Sequence, residues 1–100
     1  MTDQSNYLKD LPEWSTEIAH KLSLEEGFKL SQEHVEILNI ARNFYADYGF
    51  SPSMRPLCKV VSASLGTDKG RSIYLNKLFP GSPAKLTAKL AGLPKPKNCL

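Results

Sequence analysis

Glycine and proline set the tightest limit on what this chain can fold into. Gly27, Gly49, Gly66, the pair Pro80-Gly81 and Gly92 cut the 100 residues into short segments. Each follows a stretch with apolar side chains at helical spacing, where a glycine acts as a C-terminal stop. Serines stand where these stretches begin, as Ser15, Ser31, Ser53 and Ser82. A serine there accepts a hydrogen bond from the first unpaired backbone N–H groups of a helix. The pattern predicts a mainly α fold, a compact bundle of about five helices.

Trp14, Ile18 and Leu22 recur every four residues and define one side of a first helix, capped by Ser15. The second helix runs from Ser31 with Val35, Leu38, Ala41, Tyr45 and Tyr48, widened by Ile37, Ile40 and Phe44. A stripe that wide predicts burial on more than one side, so this is the expected central helix. The third is capped by Ser53, with Pro56 in its first turn and Met54, Leu57, Val61 and Leu65 facing inward. Gly49-Phe50-Ser51-Pro52 between the two predicts a helix-turn-helix-like corner. Thr67 or Asp68 is read as the cap of a fourth helix, with Ile73, Tyr74, Leu75, Leu78 and Phe79 as its apolar set. Gly70 counts against that assignment. Ser82-Pro83 opens the fifth helix, which carries Leu86, Ala88 and Leu90. Ahead of them all, Asn6-Tyr7-Leu8 is read as a short edge strand, with room for a short N-terminal β-hairpin, and Lys9-Asp10-Leu11-Pro12 as a turn.

Residues 1–92 thus form one helical domain, and residues 93–100 an arm. Pro94 and Pro96 fix their own φ angles and press their predecessors toward extended geometry, so the arm reads as polyproline-like. It carries Cys99. A thiol on such an arm can attack a partner's persulfide and be attacked in turn. Cys99 is therefore the candidate catalytic residue, needing no cofactor beyond a transient persulfide on its own sulfur.

The net charge is +3, and from Lys69 onward every charged side chain is basic. Lys85, Lys89, Lys95, Lys97 and Arg71 are the residues expected to guide a partner to the arm, though a charged helix face is often only solvated.

The only other cysteine is Cys58. It reads as a small buried side chain, with a resolving thiol as the sharper alternative. Two cysteines make neither a disulfide framework nor a four-cysteine zinc site. His20 and His34 have no second ligand at helical spacing, so no metal is expected. The polar start and the lack of a long apolar run point to a cytoplasmic protein. No phosphate loop or nucleophile elbow is present.

Leu78-Phe79-Pro80-Gly81-Ser82-Pro83-Ala84-Lys85, Ala91-Gly92-Leu93-Pro94-Lys95-Pro96 and the penultimate Cys99 together resemble the DsrC/TusE family. Tyr7-Leu8-Lys9, Trp14, Ser31-Gln32-Glu33-His34, Arg42-Asn43-Phe44-Tyr45 and Ser51-Pro52-Ser53-Met54-Arg55 fit it in the same order. The resemblance implies a sulfur carrier loading on Cys99. Its donor would be a TusBCD-like complex, and its acceptor an MnmA-like thiouridylase with tRNA, making wobble 2-thiouridine. It also implies that the second arm cysteine of DsrC proper falls on Lys89, which argues against sulfite reduction. The family's amino-terminal β-meander is longer than this chain allows. An arginine favoured before Tyr74 is Ile73 here, with Arg71 as a substitute, and Asn76 replaces an aromatic.

Two other readings stand beside the relay. One is a DsrC-like subunit or regulator of a sulfur-oxidation or sulfite-reductase system. The other is a nucleic-acid-binding module, disfavoured because the would-be recognition helix offers only Arg55 and Lys59 as cations.

Overall fold

A computed structural model describes residues 7–97; Cys99 and residues 1–6 lie outside the described residues. A 3-10 turn, Tyr7–Asp10, leads into five α-helices: α1 Thr16–Glu25, α2 Gln32–Tyr48, α3 Met54–Leu65, α4 Ser72–Leu78 and α5 Pro83–Leu90.

The expected amino-terminal strand is corrected. Tyr7 and Leu8 belong to the 3-10 turn, and the Leu11 N–H bonds the Leu8 carbonyl at 3.0 Å. Among the described residues no strand occurs, so there is no ladder for this segment to join and no hairpin. An isolated strand would leave its polar groups unpaired, whereas the turn satisfies them locally.

Ser15, Ser31 and Ser53 occupy the N-cap positions expected of them. At Ser31 the capping is reciprocal, and the partner is His34. The Ser31 hydroxyl accepts from the His34 N–H, and the Ser31 N–H donates to His34 Nδ1 at 3.0 Å. Glutamate or glutamine commonly fills that place, and an imidazole nitrogen with a free lone pair does the same work. His34 Nε2 donates to the Leu78 carbonyl at 2.7 Å, which ties the start of α2 to the end of α4. Nδ1 accepting and Nε2 donating is the pattern of the tautomer that carries its proton on Nε2. It sits between Phe28, stacked at 5.1 Å, and Phe79, edge-on at 5.1 Å.

Two helices depart from expectation. Trp14 precedes the α1 cap, and Ile18 is 39% exposed; the buried positions of α1 are Ala19 and Ser23. Ser23 meets its hydrogen-bonding need by donating to the His20 carbonyl. The start of α4 moves from Thr67 or Asp68 to Ser72, with Arg71 at the N-cap. Residues 67–70 form a turn in which Gly70 crosses α3 closely: a Cβ there would lie 2.8 Å from the Cys58 carbonyl oxygen. Gly70 marks a close approach of two backbones.

The centre of the bundle is α5. It packs against all four other α-helices, whereas α2 packs principally against the 3-10 turn, α3 and α5. Ala84 and Ala88 are buried in α5 and allow its neighbours to come near. Ile37, Leu38, Leu57, Val61, Leu75, Phe79 and Leu90 complete the core.

Candidate functional site

The described part of the site is the root of the arm. It begins where α5 stops. Gly92 has φ of 72°, a left-handed conformation open to glycine at little cost. The Leu93 N–H returns to the Ala88 carbonyl at 2.8 Å, and the Gly92 N–H to that of Lys89 at 3.3 Å. This pair of bonds is a Schellman motif, accompanied by contact between apolar residues on either side of the turn. Ala88 and Leu93 are both buried.

Two carbonyls at the end of α5 remain, and both are met from outside the helix. Trp14 Nε1 donates to Leu90 at 2.7 Å, and Arg42 Nη1 donates to Ala91 at 2.7 Å. The Arg42 guanidinium lies 4.5 Å above the Trp14 ring, a cation–π contact. Its charge also faces the negative end of the helix dipole. Burial holds the Arg42 guanidinium below its usual pKa. Gly92 packs beneath this pair, and a Cβ there would stand 2.8 Å from Trp14 Cδ1. Four α5 end groups and the turn are thereby locked, and so is the direction in which the arm leaves.

The arm then runs along the body. The Ser51 hydroxyl, in the α2–α3 corner, donates to the Pro94 carbonyl. Leu93 and Pro96 are buried, while Pro94, Lys95 and Lys97 are exposed. Burial that recurs every three residues has the period of a polyproline II helix. Two residues past Lys97 in the sequence comes Cys99.

Beside the arm runs a groove of about 610 Å³ lined by Lys85, Lys89, Leu93, Lys95 and Glu26 among others. Three of the five cations singled out in the sequence meet here. Lys89 is bonded to Glu26, and that hydrogen bond, then the carboxylate's charge, raises its pKa. Lys85 and Lys95 face the groove without an ion pair among the described residues. Lys97 is exposed on the arm but is not part of the lining, and Arg71 is exposed at the start of α4. Cys58 is free and half-buried in α3, and burial pushes its thiol pKa up. Among the described residues no cluster of three metal-ligating side chains occurs, and no helix is long and apolar enough to cross a membrane.

The described residues thus present a fixed helix end that feeds a short proline-bearing segment beside a basic groove. The chain belongs to the DsrC-like family: the family model described as DsrC like protein matches residues 1–100. It is 43% identical over 99 residues to Sulfurtransferase TusE of Escherichia coli K12 and 44% identical to that of Pectobacterium atrosepticum, covering 99% of this chain and 91% of each relative. The fold is DsrC-like. The NMR structure of Allochromatium vinosum DsrC superposes with a TM-score of 0.81 at 39% identity, covering 99% of this chain and 88% of that one. The oxidized γ-subunit of the dissimilatory sulfite reductase (DsrC) from Archaeoglobus fulgidus gives 0.76 at 33% identity, covering 100% and 91%.

Trp14, Arg42 and Ser51 are the residues whose part in the site the spacing of the sequence did not indicate. All three lie in segments that carry the family resemblance, which was the available signal.

Proposed function

We propose that this protein is a cytoplasmic sulfur carrier that takes a persulfide sulfur onto Cys99 and passes it to another protein. The observation that carries the reading is the seated arm, held by the Gly92 turn, the Trp14–Arg42 cap and Ser51, two residues short of the thiol. The cargo is inferred from the relatives named Sulfurtransferase TusE.

Chemically, the Cys99 thiolate attacks the outer sulfur of a donor persulfide. The new S–S bond forms as the donor's breaks, and the donor leaves as a thiolate. The same exchange, with Cys99 now the leaving group, delivers the sulfur onward, and neither step needs an outside oxidant or reductant. The donor we infer is a TusBCD-like complex, and the acceptor an MnmA-like thiouridylase acting on tRNA. Lys85 and Lys95, with Lys89 and Lys97 near them, supply the positive field that steers an acidic partner face toward the arm. Lys89, paired with Glu26, stands where a two-thiol arm would need its second cysteine, which favours a single-thiol relay.

The test is intact mass after incubation with a cysteine desulfurase, cysteine and the donor complex. Wild type is expected to gain one sulfur, mapped to Cys99, and Cys99→Ser none, with unchanged thermal unfolding. Loading of the Cys99→Ser variant would refute the proposal.

A further inference from the structure

Tyr7, Tyr48 and Phe50 surround Gly49 and are 48%, 60% and 51% exposed. The Tyr7 ring lies over Gly49, 3.0 Å from where a Cβ would be. Phe44, buried, holds the other two from below: its centroid is 4.7 Å from Tyr48 and 5.4 Å from Phe50. Beside them a depression of about 200 Å³ between α2 and α3 is lined by Ile40, Phe44, Tyr48 and Val60 with polar neighbours. Among the described residues, the remaining exposed large apolar side chains are Ile18 and Leu24 on α1 and Ile73 on α4. A contiguous aromatic cluster at a surface is a contact site in waiting. Rings already held in place lose little freedom on docking.

We propose that the Tyr48–Phe50 corner is the apolar docking surface for the protein that exchanges sulfur with Cys99; this rests on the carrier reading above. The argument is one of reach. Phe50 directly precedes Ser51, whose hydroxyl holds the Pro94 carbonyl, and Pro96 is buried. The arm is thus seated as far as residue 96, and Cys99 follows only three residues later in the sequence. A partner cannot wait at a distance for a swinging tether. To bring its own sulfur to Cys99 it must lie on the body beside the arm. There it meets the basic groove that Leu93 and Lys95 line, and Phe50, which adjoins the Ser51 that holds the arm. The occupant is therefore a protein face with an apolar patch beside an acidic one. Residues 1–6, which precede Tyr7, are a poor cover for the rings, since only Met1 among them is apolar.

The experiment compares two sulfur sources on the full chain. Inorganic polysulfide loads a thiol without docking, whereas the desulfurase-fed TusBCD-like complex must dock. The variants are Tyr48→Ser with Phe50→Ser, and Phe50→Lys alone in case the double variant unfolds. Both are expected to load from polysulfide at the wild-type rate. From the protein donor each is expected to load at least ten-fold more slowly at low donor concentration, recovering as the donor is raised. Equal loading from the protein donor overturns the docking surface. Loss of a dimer on size-exclusion chromatography with light scattering, transfer unchanged, assigns the corner to a second copy instead. A lowered melting temperature matched by deletion of residues 1–6 assigns it to the chain's own start. If wild type accepts sulfur from neither source, the carrier reading itself fails and the docking surface with it.

Discussion

At Gly92 one missing Cβ decides the course of the described residues that follow it, Leu93 to Lys97. Its φ of 72° suits glycine, and the Trp14 ring occupies the space a side chain would need. Gly92→Ala therefore combines backbone strain with a clash, and about 1–3 kcal/mol of stability is expected to be lost, measured by urea unfolding. Cys58 is the contrasting case, a half-buried thiol packed against the core. Burial raises its pKa, so the folded state disfavours the thiolate. The unfolded chain ionises first as pH rises, and the Cys58 contribution to stability is full below the ordinary thiol value and declines above it. The expected result is a fall in stability above about pH 9 that Cys58→Ala lessens, read from unfolding curves across that range.

The helices differ in what carries them. Some are made by their own sequence, and α2 is one: Ser31 caps it, His34 completes the box, and Gly49 ends it. The end of α5 is made by the rest of the chain, because Trp14 and Arg42 reach it from 76 and 49 residues away. Arg42→Ala leaves the Ala91 carbonyl without its charged donor, and a loss of about 1.5–3 kcal/mol is expected in denaturant unfolding. This difference explains what could be read in advance. Stops and caps are local chemistry, so the five helices and most of their ends were legible in serine and glycine positions. The start of α4 was not, because Gly70 is placed by a backbone crossing rather than by helix propensity. The centrality of α5 was hidden for a similar reason: breadth of apolar stripe marked α2, whereas Ala84 and Ala88 earn a central place by being small. Trp14 looked like part of a helical stripe, and its hydrogen bond to Leu90 has no signature in spacing. At the site, the convergence of Lys85 and Lys89 follows from their four-residue separation on one helix, but the Glu26 partner of Lys89 comes from α1's far end and was invisible.

Across the whole molecule, charge and apolar surface are gathered at different places. Lys85 and Lys95 line the groove, and Tyr48 and Phe50 are exposed at the α2–α3 corner. Charges of this kind govern how fast a partner arrives more than how tightly it stays. Reversing Lys85 and Lys95 to glutamate is expected to slow association with the donor complex about ten-fold at low ionic strength. The gap should close near 0.5 M salt, where the screening length falls to a few ångströms, as stopped-flow mixing would show. Trp14 adds a last consequence. It is the chain's single tryptophan, with its indole N–H spent on Leu90 and its face beneath Arg42. Excited at wavelengths that tyrosine does not absorb, the protein therefore emits light from one place, the hinge post of the arm, and any partner that lifts the arm from its seat will announce itself in that colour without a dye.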